Sequence, residues 1–327
     1  MSVLNDNKAG EVYDSSMPAV SVIMNCLNGE KYLREAIDSV FAQTYEDWEI
    51  IFWEDKASKD NSNTIAKSYG HKLRYFRSDL SLPLYGSRNL AVQQARGKYI
   101  AILDCDDLWL PEKLAEQIPL LEEDDEVGLV YSDIILFNEK GKERRSFEFK
   151  KPYRGNIFSE LLLENFVNTQ TVLIRKEAFD SLDIFFDGRL IMSGDYDAYL
   201  RISYSWKVDY VDRPLDRYRV HRNSMSWRDG RKLVTVEIDL MIDNLKKAVN
   251  ELEKNYSEEI RLLERRRDVQ LSLLDWEKGD KRKARTRLFV YISDNISILT
   301  LYLLTYLSYR YVFYPCYRLY TKNLMAD

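Results

Sequence analysis

Residues 97–111, GKYIAILDCDDLWLP, constrain this chain more than any other stretch. Residues 99–103 are a short apolar run of the kind that makes a strand buried on both faces, and the run stops at three carboxylates, Asp104, Asp106 and Asp107. In open α/β sheets ligands gather at the carboxyl ends of strands. A hard divalent cation that also holds phosphates needs one or two carboxylates in such a place. A solvated acidic turn explains the same residues, so the rest of the chain has to separate the two readings.

Upstream, residues 19–24 follow Pro18 as a first buried strand and end in the polar loop 25–29. A helix is predicted over 30–43, with Leu33, Ile37, Val40 and Phe41 at helical spacing. Residues 48–53 make a second strand that again runs into acid, at Glu54 and Asp55. A helix over 64–69, a strand over 73–76 and a helix over 86–95 follow. Arg88 and Asn89 stand near the start of that last helix, where unpaired backbone N–H groups favour an anion. After the acidic strand end, Pro111 opens a helix over 112–121, and residues 128–132 make a further strand closed by Asp133. This alternation predicts an α/β domain with a mainly parallel sheet flanked by helices.

Residues 158–165 read as helix and 169–174 as β-rich, and a polar turn at 193–194 feeds another helix. Asp195 lies near that helix N-terminus, where the helix dipole favours its ionised form and suits it to act as a base; a simple cap explains the same position. Residues 208–211 make a short strand. His221 then stands among arginines, while His71 sits in a polar turn and is given no role.

Composition narrows the class. With 327 residues, 45% of them hydrophobic, the chain can bury a large core, and a net charge of −5 excludes an overall nucleic-acid binder. Cys26, Cys105 and Cys316 have no metal-type spacing and imply a reducing compartment. Residues 1–17 are polar and lack the apolar core of a signal peptide, so a flexible tail on a cytoplasmic protein is expected. Domain 18–230 follows, and from 231 to 327 the β-rhythm gives way to a helical extension. Within it, 278–287 is strongly basic and 288–320 is dense in Leu, Ile, Tyr and Phe. The uncharged run 296–309 falls short of the roughly 20 residues that span a bilayer. A helix lying in an anionic membrane interface is expected, or a hydrophobic hairpin packed on the catalytic domain or on a second copy in a homo-oligomer.

Taken in order, the polar loop after the first strand, the acid after the second, the Arg-Asn helix, the Asp-x-Asp-Asp strand end and the aspartate opening a later helix resemble glycosyltransferase family 2. The resemblance covers residues 19–226 and is fullest over 20–45 and 86–111. It implies the GT-A fold and an inverting transfer from a nucleotide-sugar donor, UDP being the commonest nucleotide in that family. It implies that Cys26, Asn28 and Asp55 hold the base, joined by Arg88. Asp104 and Asp106 would meet ribose, metal and diphosphate, with Asp106 the direct ligand of Mn²⁺ or Mg²⁺. Asp195 takes the role of base, and His221 stands near the metal or diphosphate. A glycan or lipid-linked acceptor of a surface polysaccharide, met at the cytoplasmic face of the membrane, completes the expectation.

Three departures accompany it. Asn25-Cys26-Leu27-Asn28 stands where the family commonly has Pro-Thr-Tyr-Asn, and Gly194 replaces the glutamate of a Glu-Asp pair. The segment 54–60 is one residue longer than usual, which leaves open whether Glu54 or Asp55 faces the base. Two rivals remain on the residues alone: an inactive nucleotide-sugar binding scaffold at the membrane, and a sugar nucleotidyltransferase. The second wants a Gly-rich basic loop, and residues 25–31 offer one glycine and one lysine.

Overall fold

The computed structural model describes residues 17–221, 224, 230–294 and 296–309. The tail read at 1–17, apart from Met17, and the chain beyond Tyr309, with Cys316, lie outside the described residues. Two compact units divide the chain: one comprises 1–156, 166–188 and 205–219, the other 157–165, 189–204 and 220–327.

The first unit holds the sheet. Its strands are β1 (Val20–Cys26), β2 (Trp48–Glu54), β3 (Leu73–Arg77), β4 (Tyr99–Ile102), β5 (Leu108–Trp109), β6 (Val127–Asn138), β7 (Glu143–Arg145), β8 (Leu173–Arg175) and β9 (Lys207–Val220). They lie in the order β3-β2-β1-β4-β8-β6-β9-β5, with β7 paired to β6. The half from β3 to β4 is parallel, as the alternation of strand and helix demands. Beyond β4 the pairings of β8 with β4 and β6, and of β5 with β9, are antiparallel. The parallel expectation therefore describes the half that ends in the acidic turns.

One face of that half is wholly apolar. Val20, Val22, Met24, Ile50, Phe52, Tyr99 and Ala101 are buried against Leu33, Ile37 and Val40 of the helix Glu30–Phe41 and against Trp109, Leu114 and Ile118. One close approach sets β4 beside β1. A Cβ on Gly97 would lie 2.5 Å from the backbone nitrogen of Ser21, so only glycine fits there. The Ser21 hydroxyl accepts from the N–H of Gly97 at 2.8 Å and donates to Glu49 Oε1 at 2.7 Å, while Arg74 pairs with Glu49 at 2.9 Å. This small polar knot closes the N-terminal ends of the strands and leaves their C-terminal ends to the loops.

Two strands run further than their apolar residues suggest. The strand read at 128–132 extends over Val127–Asn138, and the one read at 208–211 extends over Lys207–Val220. Beyond residue 211 the second carries Asp212, Arg213, Arg217 and Arg219 together with Pro214, residues that conceal a strand until its partner β5 is seen.

The second unit is helical: Phe158–Leu163, most of Gly194–Ser205, Gly230–Ala248, Leu252–Asn255, Ser257–Glu277, Lys281–Phe289 and Ile296–Leu304. Phe158 packs edge-on against Tyr204 and Tyr256, with ring centroids 5.4 and 4.7 Å away. Trp276 is fully buried and its indole N–H donates to the carbonyl of Leu307 at 3.0 Å. Part of the basic run is turned inward: Arg287 and Lys283 pair with Asp275, and Arg285 lies over the Tyr306 ring. Phe289, Val290, Ile296, Leu303, Tyr306 and Leu307 are exposed. Among the described residues no helix is long and apolar enough to cross a membrane.

Candidate active site

The C-terminal ends of β1, β2 and β4 bring the predicted nucleotide residues together in pairs. After β1 the chain turns through Asn28, whose φ of 57° is the left-handed conformation that asparagine tolerates better than most residues. Asn28 is stitched to the loop after β2: its N–H donates to Ser58 Oγ at 3.1 Å and its Oδ1 accepts from the N–H of Lys59 at 2.8 Å. Gly29 and Glu30 continue the seam through Ser62 and Asp60. Asp60, accepting from Ser62 and from the backbone of Glu30 and Ser62, lies below the usual carboxylate range although burial opposes this.

Glu54 and Asp55 have different surroundings. Glu54 is buried inside the edge of the sheet, where the Tyr75 hydroxyl donates to it at 2.5 Å and Arg77 lies 3.8 Å away. Burial, with this carboxylate beside it, pushes the Tyr75 hydroxyl up to about 12. Asp55 sits at the strand end itself; its N–H donates to the Cys26 carbonyl and its Oδ1 accepts from Ala57. The Cys26 side chain points inward. Its sulfur packs under Gly29 beside Cys105, and a hydrogen bond between the two thiols draws Cys26 below its ordinary value and pushes Cys105 up, with burial adding to the rise at Cys105.

The acidic turn after β4 is held from three sides. Asp104 Oδ1 accepts from Arg88 Nη2 at 2.7 Å, and Oδ2 accepts from Gln170 Nε2 at 2.8 Å. Arg88 is almost wholly buried and lies near the rings of Tyr85 and Phe186, so its guanidinium is fixed before any ligand arrives. The structure thus joins two residues that the sequence assigns separately, and adds Gln170, which no local pattern singles out. Arg219 holds the other flank. Its backbone N–H donates to Asp107 Oδ1 at 2.7 Å, its Nε donates to the Asp106 carbonyl at 2.9 Å, and its Nη2 pairs with Glu35 at 2.7 Å. Its guanidinium also stacks over Tyr32 and Phe137.

Asp107 is buried, and burial with the neighbouring carboxylates Asp106 and Asp104 raises its carboxyl well above the usual range. Its Oδ2 has no hydrogen-bond partner among the described residues. Among the described residues no group of three or more His, Cys, Asp or Glu side chains would hold a metal ion by itself. The oxygens at Asp106 and Asp107 are nonetheless of the hard type that Mg²⁺ and Mn²⁺ prefer, and such ions take several ligands from substrate phosphates. The turn would suit a cation only where a diphosphate completed its shell.

Asp195 and His221 belong to the second unit. Asp195 stands in the first turn of Gly194–Ser205, and its Oδ1 accepts from the N–H of Tyr196 at 2.7 Å. The N–H of Asp197 donates to the Ser193 carbonyl, which makes Ser193 the residue from which the helix starts. Glu237, on Gly230–Ala248, accepts from the backbone N–H groups of Ile191, Met192 and Ser193 at 2.6, 3.1 and 2.8 Å. Asn244 of the same helix donates to Asp197 Oδ1 at 3.1 Å, and Arg201 pairs with Asp197 at 2.7 Å. His221 is half-buried, and its N–H donates to Ser224 Oγ at 3.4 Å.

Residues 21–183 match the sequence model of the Glycosyl transferase family 2. An uncharacterized glycosyltransferase of Methanocaldococcus jannaschii is 32% identical over 214 residues, which cover 64% of this chain and 73% of that protein. Relatives from Rickettsia species are matched over 27% to 64% of their length. Among solved structures, the mannosyltransferase PcManGT of Pyrobaculum calidifontis in complex with GDP-Man and Mn²⁺ superposes with a TM-score of 0.60 at 17% identity, over 90% of this chain and 83% of that one. TarS of S. aureus in complex with UDP-GlcNAc gives a TM-score of 0.56 at 19% identity, over 84% and 92%. At such identities the structural likeness is one of fold, and the fold is GT-A. The sequence matches carry the assignment further: the chain belongs to glycosyl transferase family 2.

Proposed function

We propose that the chain transfers a sugar from a nucleoside diphosphate sugar, with UDP as the nucleotide, to an acceptor hydroxyl with inversion at the anomeric carbon. The observation that carries this reading is the Asp104 carboxylate fixed between Arg88 and Gln170, two residues before Asp106, just past the end of the central strand β4. Asn28, Asp55 and the Cys26 backbone form the floor for the base. The commitment of Glu54 to Tyr75 and Arg77 supports Asp55 as the acid that meets it. Asp104 takes the ribose side, and Asp106 would hold Mn²⁺ or Mg²⁺. When bound, that cation offsets the negative charge that develops on the departing diphosphate.

Asp195 takes the proton from the acceptor hydroxyl as its oxygen attacks the anomeric carbon from the face opposite the leaving group. One displacement gives one inversion, by the logic of an inverting glycosidase with an alcohol in place of water. The acceptor we propose is a glycan or lipid-linked glycan of a surface polysaccharide, used at the cytoplasmic face of the membrane. The exposed apolar side chains between Phe289 and Leu307 support contact with the lipid interface.

A donor panel of UDP-glucose, UDP-GlcNAc and GDP-mannose, assayed with Mn²⁺ and with chelator by release of nucleoside diphosphate, tests the reading. Metal-dependent release of UDP from a UDP-sugar is expected. Binding without turnover, or turnover of nucleoside triphosphates in its place, would refute it.

A further inference from the structure

We propose that Glu237 is a positioning residue for Asp195, so that the helix Gly230–Ala248 is part of the catalytic apparatus; the inference rests on Asp195 being the base. Three consecutive backbone N–H groups, those of Ile191, Met192 and Ser193, converge on one carboxylate. Successive amides turned toward a single point form an anion-binding concavity, and here the anion is supplied by the chain itself. Glu237 is buried, so these charge-assisted bonds are protected from water. The three amides end at the residue from which the helix bearing Asp195 starts.

The same helix grips the other side of Asp195. Asn244 lies seven residues after Glu237, two helical turns on and on the same face, and holds Asp197. Residues 191–193 and 197 are therefore both tied to one rigid element, with Asp195 between them. Gly194, next to Asp195, contributes no side chain to fix the turn. A base must stay within hydrogen-bond reach of the proton it removes, and a displacement of about 1 Å can cost on the order of 100-fold in rate. Glu237 supplies that constraint without touching substrate.

Glu237→Gln keeps the shape while losing the charge and one acceptor, and Glu237→Ala removes all three bonds. Both are compared with wild type, Asp195→Asn and the double variant Asp195→Asn/Glu237→Gln in the full chain. The readouts are nucleoside diphosphate release from UDP-glucose, UDP-GlcNAc and GDP-mannose, the thermal shift given by UDP with Mn²⁺, and amide hydrogen exchange at residues 191–196. We expect Glu237→Gln to lower kcat by roughly 10- to 100-fold with donor KM and the UDP thermal shift unchanged. Exchange should quicken at 191–193, and no further loss should occur in the Asp195→Asn background. Wild-type kcat in Glu237→Gln and Glu237→Ala beside a dead Asp195→Asn would overturn the positioning role alone. An active Asp195→Asn, or no turnover of any of the three donors by the wild type, would overturn the reading of the base and this inference with it.

Discussion

Replacing Arg219 by alanine should loosen the acidic turn and lower both stability and nucleotide binding. The Nε bond to the Asp106 carbonyl is charge-assisted and partly buried, and such bonds contribute about 1.5–3 kcal/mol. Stacking over Tyr32 at 4.3 Å and Phe137 at 4.8 Å adds about 1 kcal/mol. The partner of the remaining ion pair, Glu35, is more than half exposed, so solvent screening leaves that pair about 0–1 kcal/mol. The sum is about 3 kcal/mol, which for a unit of this size lowers the melting temperature by roughly 6–12 °C. The bond to Asp107 is made by the backbone of residue 219 and survives the substitution. Arg219→Lys keeps the charge, but one ammonium cannot reproduce the planar fork and the stacking, so it should recover only part of the loss. Thermal melts, with UDP titrated in the presence of Mn²⁺, supply the assay. An Arg219→Ala protein that melts within about 1 °C of wild type and binds UDP equally well would show that Arg219 does not hold the turn.

The buried pair Lys113–Asp216, 3.2 Å apart, carries the next expectation. Lys113→Met should cost about 3–5 kcal/mol in chemical denaturation by leaving the Asp216 carboxyl buried without its cation, whereas the double variant with Asp216→Leu should recover most of it. Burial raises the Asp216 carboxyl to about 6, against the opposing pull of Lys113. The folded state therefore holds this proton more tightly than the unfolded chain does. The resulting stabilisation is complete below about pH 4 and is lost as pH rises to about 6, a fall of roughly 3 kcal/mol. The stability of wild type relative to Asp216→Asn should show that fall across pH 4 to 6; a flat difference would show that Asp216 does not bind the proton.

The parallel half of the sheet was legible because each strand there is a short apolar run that stops at a polar loop: residues 19–24, 48–53 and 99–103 announce β1, β2 and β4. The carboxylates at those ends were legible for the same reason, since acid directly after a buried strand is conspicuous. The antiparallel half was not. β9 is half polar and contains Pro214, and its pairing with the two-residue β5 is a long-range fact that no local pattern encodes. The supports of the site share that character. Gln170 and Arg219 reach the acidic turn from 66 and 113 residues away, as side chains that look like ordinary polar surface in the sequence. Glu237 lies in a segment whose charged helical composition reads as solvated, and only the convergence of three amides on it marks it out. Arg88 and Asp104 were each visible, but their pairing was not, because position in a chain carries no information about which charge a side chain will meet.

In the function proposed above, the turn bearing Asp104, Asp106 and Asp107 would anchor a nucleoside diphosphate through a divalent cation. Isothermal titration of UDP into wild type and Asp106→Ala, each with Mn²⁺ and with chelator, tests it most directly. Mn²⁺ should tighten UDP binding to the wild type by at least about tenfold, or 1.4 kcal/mol, and have little effect on Asp106→Ala. Equal UDP affinity with and without Mn²⁺ in the wild type, or the same gain in both proteins, would contradict it.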